Sequence, residues 1–212
     1  MNKKTKILII CILISFILMF LIQIAYKRIK IGNNIDRSKE DLIEYILNIS
    51  SYEANLEVIV NSNKTTNKYE LQQYYMEPNF FKQIVKYPEN IKKLETVYDG
   101  KVLAIKNTNL EISKIYKNFE YINTNKLWLN SFIESCKENK YIIEENNNEV
   151  IVKNNQNWVL CINKETKLPI SLKINDNNNN TKIYIQYKEI KVNSIKDSNI
   201  FAFITEDIKR EV

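Results

Sequence analysis

The sequence contains no histidine in its 212 residues. That excludes Ser-His-Asp and Cys-His nucleophile systems and any histidine metal site. It contains two glycines, Gly32 and Gly100, whereas a phosphate-binding loop or a dinucleotide fingerprint needs several close together. Its three cysteines are Cys11, Cys136 and Cys161. Two unpatterned cysteines outside the apolar N-terminal segment do not make a disulfide framework, and no disulfide is expected. Carboxylates are plentiful, with 25 Asp plus Glu. No spacing singles out a pair for acid–base work, so they read as solvated strand faces and turns. No catalytic, cofactor-binding or metal-ligating residue is assigned, and the chain is expected not to be an enzyme.

The formal net charge of +6 first suggests a nucleic-acid binder. Its placement argues otherwise. Lys3, Lys4, Lys6, Lys27, Arg28 and Lys30 hold all of the excess, and no acid precedes Asp36. From residue 31 onward 25 cations face 25 anions, which is 31 minus the six N-terminal cations against all 25 acids. Nucleic-acid recognition needs cations clustered on one face. Nucleic acid is therefore rejected as a partner.

The N-terminal cations flank ILIICILISFILMFLIQIAY, residues 7–26, which holds 20 uncharged residues. As a helix that run is long enough to cross a bilayer core. A cleaved signal peptide has a shorter apolar region and a small-x-small site, but Gln23 stands where the second small residue would be needed before Ala25. A lipoprotein signal would place its cysteine at the end of the run, whereas Cys11 follows Ile10 near its start. An uncleaved transmembrane anchor is expected. With basic residues on both sides, the positive-inside rule does not fix the orientation. A short basic N-terminus ahead of a first apolar helix ordinarily stays cytoplasmic. The expected order is a cytoplasmic tail at 1–6, an anchor at 7–26, a linker at 27–40 and an extracytoplasmic domain at 41–212, localised to the cell membrane as a single-pass protein.

Within the domain, Ser38 and Asp41 can form a capping pair, followed by a helical stripe of Leu42, Ile43, Tyr45, Ile46 and Ile49. The period then changes to two. Ala54, Leu56, Val58 and Val60 alternate with Asn55, Glu57, Ile59 and Asn61, and KYELQQYYM (68–76) and FFKQIVKY (80–87) follow. LETVYDGKVLAIKN (94–107) reads as a hairpin with a two-residue Asp99-Gly100 turn, and NLEISKIY (109–116) continues the meander. NKLWLNSFIESCKEN (125–139) interrupts it with Leu129, Phe132, Ile133 and Cys136 at helical spacing. Cys136 on that stripe behaves as a small hydrophobe. Strand pattern resumes in KYIIEE, EVIVKN, NWVLCIN, LPISLKIN and KIYIQYKEIKV, with asparagine runs at 146–148 and 177–180 at the hairpin turns. Pro169 opens a strand, where a missing donor is tolerated. About eleven strands with two or three helices predict an α+β, mainly β fold: a curved antiparallel half-barrel with a helix against its concave face, preceded by one transmembrane helix.

The turn Asn163-Lys164-Glu165-Thr166-Lys167-Leu168-Pro169 resembles the acid-x-x-T-G-L-P turn of LolA-like lipoprotein carriers, with Asn163 in place of the acid and Lys167 in place of the glycine. YMEPNFFKQIVKYP (75–88) followed by VYDGKVL (97–103), and NIFAF (199–203), resemble two further pieces of that family in the same order. The run at 90–101 and the S-F-I-E at 131–134 are similar to clostridial germination lipoproteins of the GerS type. The chain departs from these in lacking a lipobox. The resemblance implies a non-catalytic protein outside the membrane that binds a cell-wall amidase preparing spore cortex peptidoglycan for germination. The wider fold implies the alternative: a carrier or sensor of lipid or lipoprotein, with an acyl chain in the half-barrel.

Aromatic side chains are the candidate partner-binding residues. Tyr74-Tyr75 and Phe80-Phe81 are consecutive, so each pair sends one ring to either face of the sheet. Trp128 stands at the edge of the helix stripe. An exposed cluster among Tyr74, Tyr75, Phe80, Phe81 and Trp128 would mark a surface for a protein partner or a homodimer. The competing reading is that helix 125–139 covers the extra face.

Overall fold

The period-two alternation of residues 51–61 buries one face of a strand and leaves the other half-wet, and the rest of the domain repeats that device. The computed structural model describes residues 39–62, 64–117, 119, 126–175 and 182–202. The apolar run 7–26, Ser38 and the asparagine run 177–180 lie outside the described residues. Among the described residues no helix is long and apolar enough to cross a membrane. The chain forms two compact units, Met1–Glu44 and Tyr45–Val212. Residues 39–47 form a helix, α1. Leu42, Ile43 and Ile46 of it are buried, but Tyr45, expected in the same stripe, is exposed at its rim.

The second unit is built on one 11-stranded antiparallel sheet. Its strands are β1 (Ser51–Asn61), β2 (Thr66–Met76), β3 (Phe80–Tyr87), β4 (Glu95–Asp99), β5 (Leu103–Asn107), β6 (Ile112–Tyr116), β7 (Tyr141–Glu145), β8 (Glu149–Asn154), β9 (Trp158–Asn163), β10 (Pro169–Asn175) and β11 (Lys182–Val192). The spatial order is β6-β5-β4-β3-β2-β1-β11-β10-β9-β8-β7. Two meanders therefore run outward from a central β1–β11 pair, and β6 and β7 are the edges. The connection from one edge to the other contains α2 (Leu129–Glu138). The sheet is open, with β6 and β7 at its two ends, and the described residues form two α-helices, α1 and α2.

The helix α2 has only 10 residues, too short to hold itself in water. Packing and borrowed hydrogen bonds hold it. Leu129, Phe132, Ile133 and Cys136, the predicted stripe, are all buried, and fully burying each large apolar side chain is worth roughly 1.5–3 kcal/mol. Trp128 at the N-cap offers no side-chain cap. Instead the Tyr52 hydroxyl of β1 accepts the first free N–H, from Leu129, at 3.2 Å. At the other end Asn154 of β8 donates to Ser135 Oγ at 2.9 Å. The face of the sheet under α2 is called the inner face below.

Three of the turns between neighbouring strands bear on the sequence expectations. In the turn before Pro169, Asn163 Oδ1 accepts from the N–H groups of Glu165 and Thr166, each at 2.9 Å. Lys167 sits at φ +59°, a left-handed conformation that a glycine would adopt without steric cost. An amide oxygen thus does what a carboxylate would, and a lysine is held in the glycine geometry. The Asp99-Gly100 turn differs from expectation. Tyr98 pairs with Leu103, so the loop spans 99–102 rather than two residues. Only Gly100, at φ +92°, is left-handed there. The reason is the Asp99 carboxylate, which accepts from Lys101 N and Val102 N at 2.9 and 2.8 Å and closes a wider loop. Residues 109–116 also begin differently. Thr108–Leu110 is a 3-10 turn, because the Asn107 side chain accepts from Asn109 N and Leu110 N, and the strand starts only at Ile112.

Candidate functional site

The register places four aromatic rings in one row across the inner face. Tyr52 of β1 stands opposite Tyr75 of β2, Tyr75 opposite Phe81 of β3, and Phe81 opposite Tyr98 of β4. The ring centroids lie 5.5, 5.2 and 6.3 Å apart in that order. Trp128 meets Phe81 edge-on at 5.0 Å and 70°, a favoured aromatic geometry. Tyr75, Phe81 and Trp128, three of the five candidate residues, are therefore core: all are buried. Burial raises the Tyr75 phenol above its ordinary pKa, with Glu77 and Glu134 adding in the same direction.

The adjacent row is polar. Gln73 is fully buried. Its carboxamide accepts from Tyr52 at 3.4 Å and donates to Gln83 Oε1 at 3.0 Å and to the Leu127 carbonyl at 3.4 Å. This network ties the entry of α2 to β1, β2 and β3 together, since buried polar groups must find partners. Trp128 Nε1, Asn130 Oδ1 and Tyr187 OH are buried without a hydrogen bond, so the inner face is not purely apolar.

The other two candidates point outward and meet different environments. Phe80 packs on Phe201 at 5.6 Å. Phe201 ends the 3-10 turn Ser198–Phe201 and is fully buried. The chain's last described turn thus covers the outer side of β3 beside the buried Val97. Tyr74 is half-buried opposite Glu53. Partial burial raises its pKa first, with Glu53 and Glu95 adding to it. The five residues do not form one surface. Helix α2 covers the inner rings, the 198–201 turn covers Phe80, and Tyr74 is left beside the Lys191–Glu53 pair.

Exposed apolar side chains gather elsewhere, at the end of the first meander. Leu110, Ile112 and Tyr116 are 46%, 36% and 42% exposed. Ile112 and Tyr116 share the inner-face row of β6 with Lys114. Phe119 packs between Tyr98 and Tyr116 at 6.3 Å from each, and its carbonyl accepts from Tyr98 OH at 3.0 Å. Sequence reasoning missed this cluster. A signal was present in NLEISKIY: apolar residues alternate with lysine in the strand directly before the interrupting helix, which is where a meander ends and an edge lies.

Among the described residues no three cysteine, aspartate or glutamate side chains come together as a metal site would require. Cys136 is buried and Cys161 half-buried, both as free thiols. Burial pushes the Cys136 thiol up to about 12, so it is protonated and unreactive near neutral pH.

Residues 4–201 match the family of YdcC-like sporulation proteins. The chain belongs to that family. No curated protein matches it. Solved structures similar to this YdcC-like chain include a LolA superfamily protein from Nitrosomonas europaea, at 10% identity and a TM-score of 0.45, covering 77% of this chain and 97% of that one. A conserved protein from Thermus thermophilus has 9% identity and a TM-score of 0.49, covering 78% and 94%. The CwlD amidase–GerS lipoprotein complex from Clostridioides difficile is similar at 19% identity and a TM-score of 0.38, covering 76% and 94%. The expected kinship with spore proteins agrees with the family match.

Proposed function

We propose that this YdcC-like chain is a non-catalytic accessory protein of sporulation that works by protein contact. Residues 7–26 hold it to the membrane, the domain that follows lies outside, and its partner is a cell-wall amidase acting on spore cortex peptidoglycan. The observation that carries partner binding is that Leu110, Ile112 and Tyr116 are exposed within one short stretch at one end of the sheet, whereas the other exposed large apolar side chains of its strands, Tyr87 and Ile142, stand singly. Exposed apolar groups gathered at one place mark interaction surfaces, whereas scattered ones need no explanation. The amidase class rests on the sequence resemblance of residues 90–101 and 131–134 to GerS-type lipoproteins. The sporulation setting rests on the match to the family of YdcC-like sporulation proteins.

Reconstitution tests the proposal. The full chain in detergent micelles is added to a purified amidase from the same sporulating cells, and muropeptide release from cortex peptidoglycan is followed. The expected result is a stable complex and faster release than with amidase alone, with no release by the chain alone. Release by the chain alone would restore an enzyme reading. Failure to bind the amidase, together with bound acyl chains in the purified protein, would favour the lipid or lipoprotein carrier.

A further inference from the structure

The geometry points to the free edge of β6 as the place where the partner docks, taking an extended acidic segment of the partner protein as an added strand. The inference deepens the partner reading above and rests on it.

Both β6 and β7 end the sheet, and among the described residues no strand pairs with the outer side of either. Edges of this kind are templates for another strand unless they are blunted. Neither strand contains proline, and β6 pairs with β5 without a bulge. Charge separates the two. On β7 the carboxylates are already matched within the chain: Lys153 holds Glu144 at 2.7 Å, and Lys164 holds Glu145. On β6 the exposed Lys114 and, one residue beyond the strand, the exposed Lys117 have no ion pair among the described residues. One acid, Glu111, stands at the start of the strand. The β6 edge therefore carries two lysines without an ion pair among the described residues beside the exposed Ile112 and Tyr116, whereas the β7 edge carries the exposed Ile142 and, one residue before the strand, Lys140, but the charges within its own strand are the matched carboxylates Glu144 and Glu145.

The pleat then specifies the occupant. Ile112, Lys114 and Tyr116 face inward, and Ser113, Ile115 and Lys117 face outward. An antiparallel strand pairing with 117 down to 112 should present acid, apolar, apolar, acid, small polar and apolar side chains in that order. The peptide EVVETV meets this pattern, with its glutamates opposite Lys117 and Lys114 and its valines opposite Tyr116, Ile115 and Ile112. Opposite charges and apolar groups facing each other across strands are each stabilising, and like charges are not.

Fluorescence anisotropy of labelled EVVETV and KVVKTV with the full chain in detergent micelles tests this. EVVETV should bind about tenfold more tightly than KVVKTV, the size expected of two cross-strand charge pairs. The double variant Lys114→Glu/Lys117→Glu alters exposed side chains that have no ion pair among the described residues. It should keep the circular dichroism and melting temperature of the parent, reverse the peptide preference and weaken capture of the amidase. No binding of EVVETV, equal binding of the two peptides, or an unchanged preference in the variant would overturn the edge assignment. Self-association of the parent that is lost in the variant would overturn the occupant by making it a second copy of this chain. Failure of the parent to bind amidase would sink the partner reading itself. Parent and variant binding it equally would sink only the edge.

Discussion

The two faces of β3 carry neighbouring phenylalanines with different duties. Phe81 faces inward, within an aromatic row that runs from Tyr52 to Tyr98 and is closed by Trp128. Phe80 faces outward and meets one cover, Phe201. The inner face is a packed core with a buried polar network. The outer face is a solvated ladder of Lys–Glu pairs, such as Lys68–Glu57 at 3.1 Å and Lys191–Glu53 at 2.6 Å, interrupted by a small apolar cover. Adjacent residues of one element can thus differ about twofold in their contribution to stability, because the pleat sends them to opposite faces.

Breaking the inner row should have the largest effect. Phe81→Ala should cost about 3–5 kcal/mol in urea unfolding, since it leaves a cavity beneath Trp128. Phe80→Ala should cost about half as much, its ring being half-buried. Equal losses would mean that the two faces are equally packed. Next comes the buried amide. Gln73→Ala should cost about 2 kcal/mol, because Tyr52 loses its acceptor and Gln83 a donor. It should also raise amide-hydrogen exchange in α2 more than in β9, and exchange rising evenly would show that the network does not hold the helix.

The pH response should divide by face as well. Cys136 has an ordinary value of 9.0 and is pushed up to about 12 by burial. Between those values the unfolded chain has lost the proton and the folded chain has kept it, so stability falls as pH rises from 9 toward 12. Tyr75 and Tyr187, both raised by burial, act in the same sense once unfolded phenols ionise. The outer face works oppositely. Glu57 is held below its ordinary 4.5, chiefly by its hydrogen bond from Lys68 with help from Lys188 and against its own desolvation. Its contribution is present above pH 4.5 and is lost as pH falls through the depressed value. Melting temperatures followed from pH 3 to 11 should decline at both ends. Added salt should lessen the outer-face contribution, which is lost on the acid side, and should leave the alkaline decline almost unchanged, because burial is screened less than exposed pairs. The smallest effect is expected at Lys191→Ala, with no resolvable change in the urea midpoint, since Lys191 is exposed and its partner Glu53 is a surface acid. A larger loss would mean that the outer ladder is structural.

Much of the sheet was readable. FFKQIVKY, EVIVKN and KIYIQYKEIKV match β3, β8 and β11 because alternation records a half-buried pleat residue by residue. The stripe of Leu129, Phe132, Ile133 and Cys136 records the buried side of α2 in the same way. The candidate surface was read less well. Tyr74, Tyr75, Phe80, Phe81 and Trp128 could be divided between faces from their parity, but parity does not say what covers a face. Two covers proved to be distant in sequence: α2 over Phe81, and the turn at 198–201 over Phe80. The cluster at Leu110, Ile112 and Tyr116 went unnoticed because its strand reads like any other. Only its place at the edge leaves it exposed.

By itself the sequence determined the period of each strand, the apolar stripe of α2, the strand opened by Pro169 and the exclusion of histidine chemistry, since these depend on residue types at short separations. Tertiary structure alone decided the strand order, with β1 beside β11 and with β6 and β7 left as edges, and it alone turned Asp99 into a loop cap and Tyr52 into the acceptor for α2. Those outcomes depend on contacts between residues far apart in the chain, where loop closure and packing choose the partner and local propensity does not.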